Sequence, residues 1–172
     1  MSRYFFNLIS SRHSVRAFKN IPIPEEIIDS IINTAVKGPS SGNLQSYQIF
    51  MVSKKTEREK LAEAAHGQNY VYEAPIVMIF CADPVRCSTE YGARGEHLFS
   101  IQDATIACAY SQIAAHDFGL SSVWIGSFDE EKVQDILKLE NLKPVAILPI
   151  GFANETPQIT TRRPIDQIVH KI

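Results

Sequence analysis

The chain has 172 residues, of which 45% are hydrophobic and 21% are charged, enough apolar mass for a single folded domain over residues 1–172. Its 17 Lys and Arg residues against 19 Asp and Glu residues give a formal net charge of −2, which excludes a general attraction to nucleic acid or to anionic membranes. No uncharged apolar run approaches the roughly 18 residues of a membrane helix, and Asn7 interrupts the apolar start. We therefore expect a cytoplasmic protein with neither nucleic-acid nor membrane partners.

The three cysteines, Cys81, Cys87 and Cys108, are an odd number at spacings that match no disulfide framework. Cys108 lies in an apolar stretch and is predicted to be a core residue. Cys81 and Cys87 form no CxxC pair, and the 5 histidines are scattered along the chain. We therefore expect no metal site.

Hydrophobic spacing predicts five elements in the first half of the chain. A short helix ends near Ser11, and a second helix begins at Pro24, carries one apolar stripe and stops at Gly38. The pattern then predicts a strand, a charged surface helix and a buried strand, over residues 47–53, 54–65 and 76–82.

The longest periodic segment predicts a central helix over residues 96–118, ended by Gly119. Its inward side is expected to carry Leu98, Ile101, Ile106, Ala109, Ile113 and Ala114. A strand, a helix and a strand are predicted to follow, over residues 122–125, 130–139 and 145–152. Helices precede the first strand and no glycine-rich phosphate-binding turn follows it, which argues against a dinucleotide-binding Rossmann domain.

Three loops concentrate side chains suited to ligand binding. The arginine loop (residues 11–16) directly follows the first predicted helix and holds Arg12, His13, Ser14 and Arg16. Its two guanidiniums offer forked donors that match the oxygens of a phosphate. Such a cluster is also typical of a solvated basic turn.

The serine loop (residues 37–46) follows the second predicted helix. Its candidate contact residues are Pro39, Ser40, Ser41, Asn43 and Gln45. Asn43 and Gln45 stand two apart in a stretch expected to be extended, so their amides can point to one side and read the polar edge of a heterocycle. By itself the segment is typical of an ordinary surface loop.

The tryptophan loop (residues 121–128) ends a short strand at Gly126 and exposes backbone N–H groups beside Trp124. A tryptophan in this position is more often a core residue than a ligand contact. Together the three loops indicate one ligand with a phosphate, a hydroxylated spacer and a flat heteroaromatic ring.

Five segments resemble the signature blocks of the FMN-dependent nitroreductase family, in the same order and at similar distances. They read RHSVR, PSSGNLQ, GLSSVWIG, PIGF and RRP, at residues 12–16, 39–45, 119–126, 149–152 and 162–164. The match spans roughly residues 4–170. It implies an α+β fold with a central, mostly antiparallel sheet flanked by helices, in an intertwined homodimer with two FMN sites at the interface.

The resemblance also implies which residues bind FMN. Contacts to the phosphate and the ribityl chain are expected from Arg12, His13, Ser14, Arg16 and Arg162. Contacts to the ring are expected from the other subunit, at Pro39, Ser40, Ser41, Asn43 and, secondarily, Gln45. Ile125 and Gly126 are expected at the ring as well, with the Gly126 amide facing N5 and Arg16 near N1 as electrostatic support.

The implied function is an FMN-dependent oxidoreductase that transfers reducing equivalents from NAD(P)H to nitroaromatics, quinones or similar flat acceptors by a ping-pong mechanism, with no indispensable protein acid or base. Alternatives are a specialised member, such as a reductive dehalogenase or a flavin-destroying benzimidazole synthase, a non-catalytic FMN carrier or sensor, and a structural or interaction domain.

The sequence departs from the family pattern in three places. Thr160 stands where many relatives carry a tail lysine, and Gly126 stands where some carry a glutamate. Residues 83–95, where relatives insert a substrate-covering lid, form a short segment here. Gln68 or Asn69 are loose candidates for a further contact to the ring.

Overall fold

The computed structural model describes residues 3–172, and within them four strands form one sheet in the order β1-β2-β4-β3. The strands are β1 (Tyr47–Val52), β2 (Ile76–Ala82), β3 (Ser121–Ser122) and β4 (Lys143–Gly151). All neighbouring strands pair antiparallel. The predicted α+β class with a mostly antiparallel sheet is therefore confirmed.

Helices cover both faces of this sheet. They are α1 (Tyr4–Ser11), α2 (Glu25–Ala35), α3 (Lys55–Ala64), α4 (Tyr70–Glu73), α5 (Pro84–Arg94), α6 (Ser100–Asp117) and α7 (Glu130–Leu137). A π-helical turn, Gly95–Phe99, joins α5 to α6, and short 3-10 turns lie at Ser41–Asn43 and Ile165–Gln167. None of the helices in residues 3–172 is long and apolar enough to cross a bilayer.

The central strand β2 is buried along its whole length, and its alternating side chains supply two separate cores. Ile79 belongs to the core shared with Leu61 of α3 and Val133 of α7. Phe80 belongs to the core on the opposite face, which includes Ile31 of α2. The continuous apolar run that predicted this strand thus reflects burial on both faces.

Helix α6 turns its small residues toward the sheet, contrary to the predicted inward side. Its buried residues are Ser100, Asp103, Ala104, Ala107, Cys108, Ser111, Ala114 and Ala115. Of the six residues expected to face inward, only Ala114 is buried, and the other five are half-buried. Periodicity failed here because both sides of the helix are apolar, and close packing against the sheet selects the side with smaller side chains.

The helix α5 was not predicted, although its start is marked in the sequence. Asp83 caps it by accepting a hydrogen bond from the Arg86 N–H at 2.9 Å, and Pro84 occupies its first turn. The short helix α4 was not predicted either. Most ends of the other predicted elements agree with the structure to within about two residues, but the strand predicted over 122–125 is only Ser121–Ser122, and the helix predicted from residue 96 begins with the π-helical turn before Ser100. For example, α7 ends at Leu137 rather than residue 139 because Lys138 adopts a left-handed conformation, with φ 53°.

We expect Leu148→Ala in β4 to lower the free energy of unfolding by about 2 to 5 kcal/mol, because Leu148 is fully buried and the deletion leaves a cavity between two packed layers. Urea unfolding at one fixed protein concentration measures the change. Met51→Ala in β1 is the control, since Met51 is exposed. Equal losses for the two variants would contradict the assignment of the core.

Candidate functional site

The arginine loop is fixed at one end of the sheet by backbone hydrogen bonds to two other segments. The Val15 N–H donates to the Ser122 carbonyl at 3.2 Å, so the loop lies beside the start of the tryptophan loop. The Asn154 N–H donates to the Ala17 carbonyl at 2.9 Å, which ties the same segment to the chain after β4. The arginine loop and the tryptophan loop, distant in sequence, are therefore neighbours.

A cavity of about 140 Å³ opens over the arginine loop. It is lined by Arg12, His13, Ser14, Arg16, Gln158, Thr160 and Arg162. The structure thus brings together the side chains that the resemblance assigned to a phosphate, including Arg162 from the tail. We call this the arginine cavity.

The arginines that line the arginine cavity form no ion pair within residues 3–172, although the Glu155 carboxylate accepts a hydrogen bond from the Arg16 backbone N–H. Burial lowers the pKa of Arg12, and the neighbouring positive charge of Arg162 lowers it further. The Arg12 Nη1 is buried and has no hydrogen-bond partner among residues 3–172. A buried guanidinium donor beside a second guanidinium is costly unless an anion binds there, so the donor set fits a phosphate group.

The arginine loop also contacts the carboxyl-terminal end of α6. The Ser11 hydroxyl lies 2.9 Å from the His116 Nε2, in the last turn of that helix. Burial lowers the pKa of His116, and the positive charge of Arg12 contributes to the decrease. The lowered pKa favours the neutral form of His116.

The serine loop is anchored at the other end of α6. Asp103, in the first turn, accepts hydrogen bonds from the Ser41 N–H at 2.9 Å and from the Ser46 N–H at 3.2 Å. Beside this anchor lies a cavity of about 390 Å³. It is lined by Pro39, Ser40, Ser41, Gln102, Asp103, Thr105 and Ile106. We call this the serine cavity.

The serine loop is not extended, so that expectation was wrong. Gly42, Asn43 and Gln45 have φ values of 54°, 58° and 51°, all in the left-handed region. The Asn43 and Gln45 side chains are exposed, and the Gln45 N–H donates to the Ser40 hydroxyl at 3.1 Å. Their orientation therefore results from a tight turn and not from alternation along a strand.

In the tryptophan loop, Ile125 and Gly126 differ in what they can offer a ligand. The Ile125 N–H and carbonyl both bond to Ile147 at 3.0 Å, and its side chain is buried in the core. Gly126 is exposed, and a Cβ placed there would approach only the Trp124 Nε1, at 3.8 Å. Trp124 itself is half-buried against the core. The open backbone is at Gly126.

The two cavities are far apart within one chain. Asp103 and His116 mark opposite ends of α6, which at a rise of 1.5 Å per residue are about 20 Å apart. The arginine cavity shares no lining residue with the serine cavity. One chain thus carries two separated halves of the predicted site.

The family is settled by comparison with known proteins. The model of the Nitroreductase family matches residues 9–85 and 67–152, most of the chain. The chain belongs to the nitroreductase family. This confirms the resemblance that its five blocks carry.

Individual relatives agree with this assignment. The protein is 32% identical over 154 residues to the "Putative NADH dehydrogenase/NAD(P)H nitroreductase" of Methanothermobacter thermautotrophicus, covering 87% of this chain and 77% of that one. It is 30% identical to an "NADPH-dependent oxidoreductase" of Staphylococcus aureus, covering 99% of this chain and 74% of the relative.

A solved structure shows the same fold. The NADPH:FMN oxidoreductase from Vibrio harveyi, complexed with NAD⁺, superimposes with a TM-score of 0.89 and 28% identity, over 96% of this chain and 76% of that one. This nitroreductase-family chain is therefore an oxidoreductase with the expected α+β fold.

The thiols of this nitroreductase-family protein lie apart from the loops that would bind a ligand. Cys81, Cys87 and Cys108 are free and buried, which confirms the core position predicted for Cys108. Burial raises the pKa of the Cys81 thiol to about 12 and that of Cys108 well above its usual value. Neither of these two thiols is a nucleophile near neutral pH.

Sequence reasoning missed several residues at these sites, among them three with distinct contacts. Gln158 lines the arginine cavity, His116 contacts the arginine loop, and Asp103 anchors the serine loop. A charged residue among small apolar neighbours in α6 was the available signal for Asp103, because a buried carboxylate needs donors. Nothing in the sequence marks Gln158, which lies in a polar tail.

Proposed function

We propose that this protein binds FMN and uses it to transfer reducing equivalents from NAD(P)H to flat acceptors such as nitroaromatics and quinones. The observation that carries the proposal is the buried, unpartnered Arg12 donor beside Arg162. A nucleotide phosphate supplies the charge and the acceptors that these groups lack. The names of the Staphylococcus aureus and Vibrio harveyi relatives support the nicotinamide and the flavin parts of the proposal.

Thr160 has a role of its own in this arrangement. The Arg162 Nη1 donates to the Thr160 hydroxyl oxygen at 3.1 Å, so the threonine holds the guanidinium over the arginine cavity. Where many relatives have a lysine, this chain has a neutral side chain that orients a neighbouring arginine. The cavity keeps its guanidiniums and has one ammonium fewer to balance the phosphate charge.

The ring half of the site requires a second copy of the chain. Away from the sheet, on its outer face, α6 carries Ile101, Gln102, Thr105, Ile106, Ala109 and Ile113. Gln102 is exposed and the other five are half-buried, and part of α6 packs against α2. Exposed aromatic residues of α1 lie near the same helix, and Phe6 is 71% exposed. Exposed aromatic residues beside a half-buried apolar side of a helix are typical of an interface.

In the proposed dimer, a two-fold axis perpendicular to α6 relates the two chains, so the two copies of α6 run antiparallel. The amino-terminal end of one helix then lies beside the carboxyl-terminal end of the other. Each serine cavity consequently adjoins the partner's arginine cavity, and the two separated halves become two complete sites. The proposed assembly is therefore a homodimer in which each site takes Arg12 from one subunit and Ser40, Ser41, Asn43 and Gln45 from the other.

The side chains then position the reactants without supplying an acid or a base. The chemistry that FMN would supply when bound is hydride acceptance from the nicotinamide and reduction of the acceptor. Arg12, Ser14 and Arg162 would hold the phosphate, Arg16 would add positive charge, and the Gly126 amide would donate a hydrogen bond to the ring. Gly126 has no side chain and would leave one face of the flavin ring open. The reductant and the acceptor would bind to that face in turn, which is the basis of a ping-pong mechanism.

The yellow, FMN-loaded protein should bleach when NADH or NADPH is added without oxygen and regain its colour when a nitroaromatic or a quinone follows. Absorbance near the flavin maximum in a stopped-flow instrument records both half-reactions. A carrier or sensor would stay oxidised in the first step, and that outcome would refute the enzymatic part of the proposal.

Arg12→Ala should weaken FMN binding by about 10- to 150-fold, because a charge-assisted hydrogen bond contributes about 1.5 to 3 kcal/mol and each 1.4 kcal/mol is about tenfold. Fluorescence titration of the flavin-free protein measures the Kd. Arg12→Lys should restore only part of the affinity, since an ammonium keeps the positive charge but lacks the paired N–H donors of a guanidinium.

Two controls isolate the phosphate contact. Riboflavin, which lacks the phosphate, should bind the wild type and Arg12→Ala almost equally. Arg163→Ala should leave FMN affinity unchanged, because the Arg163 Nη2 donates to the Gln167 carbonyl and does not line the cavity. An equal loss for riboflavin and FMN would show that Arg12 does not hold the phosphate.

Mixed dimers test whether the site is shared. Asn43→Gly removes the amide without straining a left-handed residue, so it disables the serine loop only. Consider a dimer of one Arg12→Ala chain and one Asn43→Gly chain. If each site is built from both chains, one site carries both substitutions and the other site carries neither. Differently tagged, co-purified chains should show about half of the wild-type activity with wild-type FMN affinity. Two impaired sites and no recovery would mean that each chain builds its own site.

A further inference from the structure

Asp103 is a buried charge whose partners all come from the serine loop. The residue is 1% exposed, and none of residues 3–172 places a Lys, Arg or His side chain within ion-pair distance of it. A buried carboxylate without a cation must be stabilised by hydrogen-bond donors. Those donors are the Ser41 N–H, the Ser41 hydroxyl and the Ser46 N–H.

The geometry divides these donors between the two carboxylate oxygens. Oδ1 accepts from the Ser41 N–H at 2.9 Å and from its hydroxyl at 3.1 Å, while Oδ2 accepts from the Ser46 N–H at 3.2 Å. A single side chain on a helix therefore pins two points of the serine loop, five residues apart in sequence. Asn43 and Gln45, the exposed amides, lie between those points.

The conformation between the two points is locally unfavourable at Gln45. Gln45 has a φ of 51°, which glutamine adopts rarely, whereas Gly42 and Asn43 are residue types that enter the left-handed region readily. Other contacts to the loop come from α5, where the Arg86 Nε donates to the Leu44 carbonyl at 2.7 Å from an exposed position. Both sets of contacts are charge-assisted, but only those of Asp103 are shielded from water, so they stabilise the turn more strongly.

We propose that Asp103 is a positioning residue for the active site: its carboxylate holds the serine loop in the turn that presents Asn43 and Gln45 to the flavin ring bound by the partner subunit. The second half of this inference, the contact to the ring, rests on the proposed function. The first half, the anchoring of the loop, is a property of the flavin-free chain. The two halves are tested by separate measurements.

Amide hydrogen exchange by NMR on the flavin-free protein tests the anchor. In Asp103→Asn the amide oxygen should stay with the two Ser41 donors, which turns the NH₂ group toward the Ser46 N–H. Protection of the Ser46 amide should fall by about 10- to 150-fold, while that of Ser41 falls less. Asp103→Ala should release both amides. Ser111→Ala is the matched control, since this buried hydroxyl of the same helix bonds only to the Ala107 carbonyl.

Ligand titration tests the contact to the ring. Because the serine loop faces the ring and not the phosphate, Asp103→Asn should weaken riboflavin and FMN by the same factor, about tenfold or more, unlike Arg12→Ala, which should weaken FMN alone. The KM for NAD(P)H should rise more than kcat falls. Ser41→Ala, which removes one donor from the loop side and keeps the carboxylate, should change affinity in the same direction by a smaller factor, and it serves if an Asp103 variant does not fold.

Three results would overturn the inference. Unchanged protection of the Ser41 and Ser46 amides in Asp103→Ala would show that Asp103 does not anchor the loop. A uniform loss of protection in all elements would show that Asp103 stabilises the whole fold and not the loop in particular. If the loop is released locally but flavin affinity is unchanged, the inferred contact between the loop and the ring is wrong. The proposed function would still stand if NAD(P)H bleaches the wild-type protein. A wild type that binds no flavin would refute the proposed function, and the exchange data would still decide the anchor.

Discussion

Packing of α6 against the sheet is the constraint on which the arrangement of both half-sites depends. Small residues on one side let the helix lie close to β2 and β4, and this places its larger apolar residues on the outer face. The helix is then a straight spacer with the arginine loop at one end and the serine loop at the other. Its length fixes the distance between the halves, and its outer face supplies the surface across which a second copy would bring them together.

The electrostatics of the two ends are complementary. At the carboxyl-terminal end, Arg12 and Arg162 carry positive charge that nothing in the described chain neutralises. At the amino-terminal end, the negative charge of Asp103 is already balanced by three donors of the serine loop. The first end therefore has donors free for an anion, and the second has its charge satisfied within the chain. This difference suits one end to hold an anionic group and the other to contact a neutral ring.

Elements with a clear hydrophobic period or a clear terminating residue could be predicted from the sequence. Features that depend on contacts between residues distant in sequence could not. The seven-residue strand Ile76–Ala82 was predicted because it is apolar on both faces, and the end of α6 because Gly119 adopts a positive φ of 73°. The inward face of α6 was predicted wrongly, since a helix with two apolar sides gives no periodic signal. The turn at Asn43 and Gln45 was missed because Asp103, distant in sequence, stabilises it.

Burial of the three cysteines has a consequence for a protein that would handle electrophilic acceptors. Thiolates add readily to quinones, and a surface thiolate beside the site would be arylated during turnover. Burial raises the pKa of the Cys81 thiol to about 12, which disfavours its thiolate near neutral pH. All three cysteines are buried, so their sulfur atoms are shielded from such electrophiles.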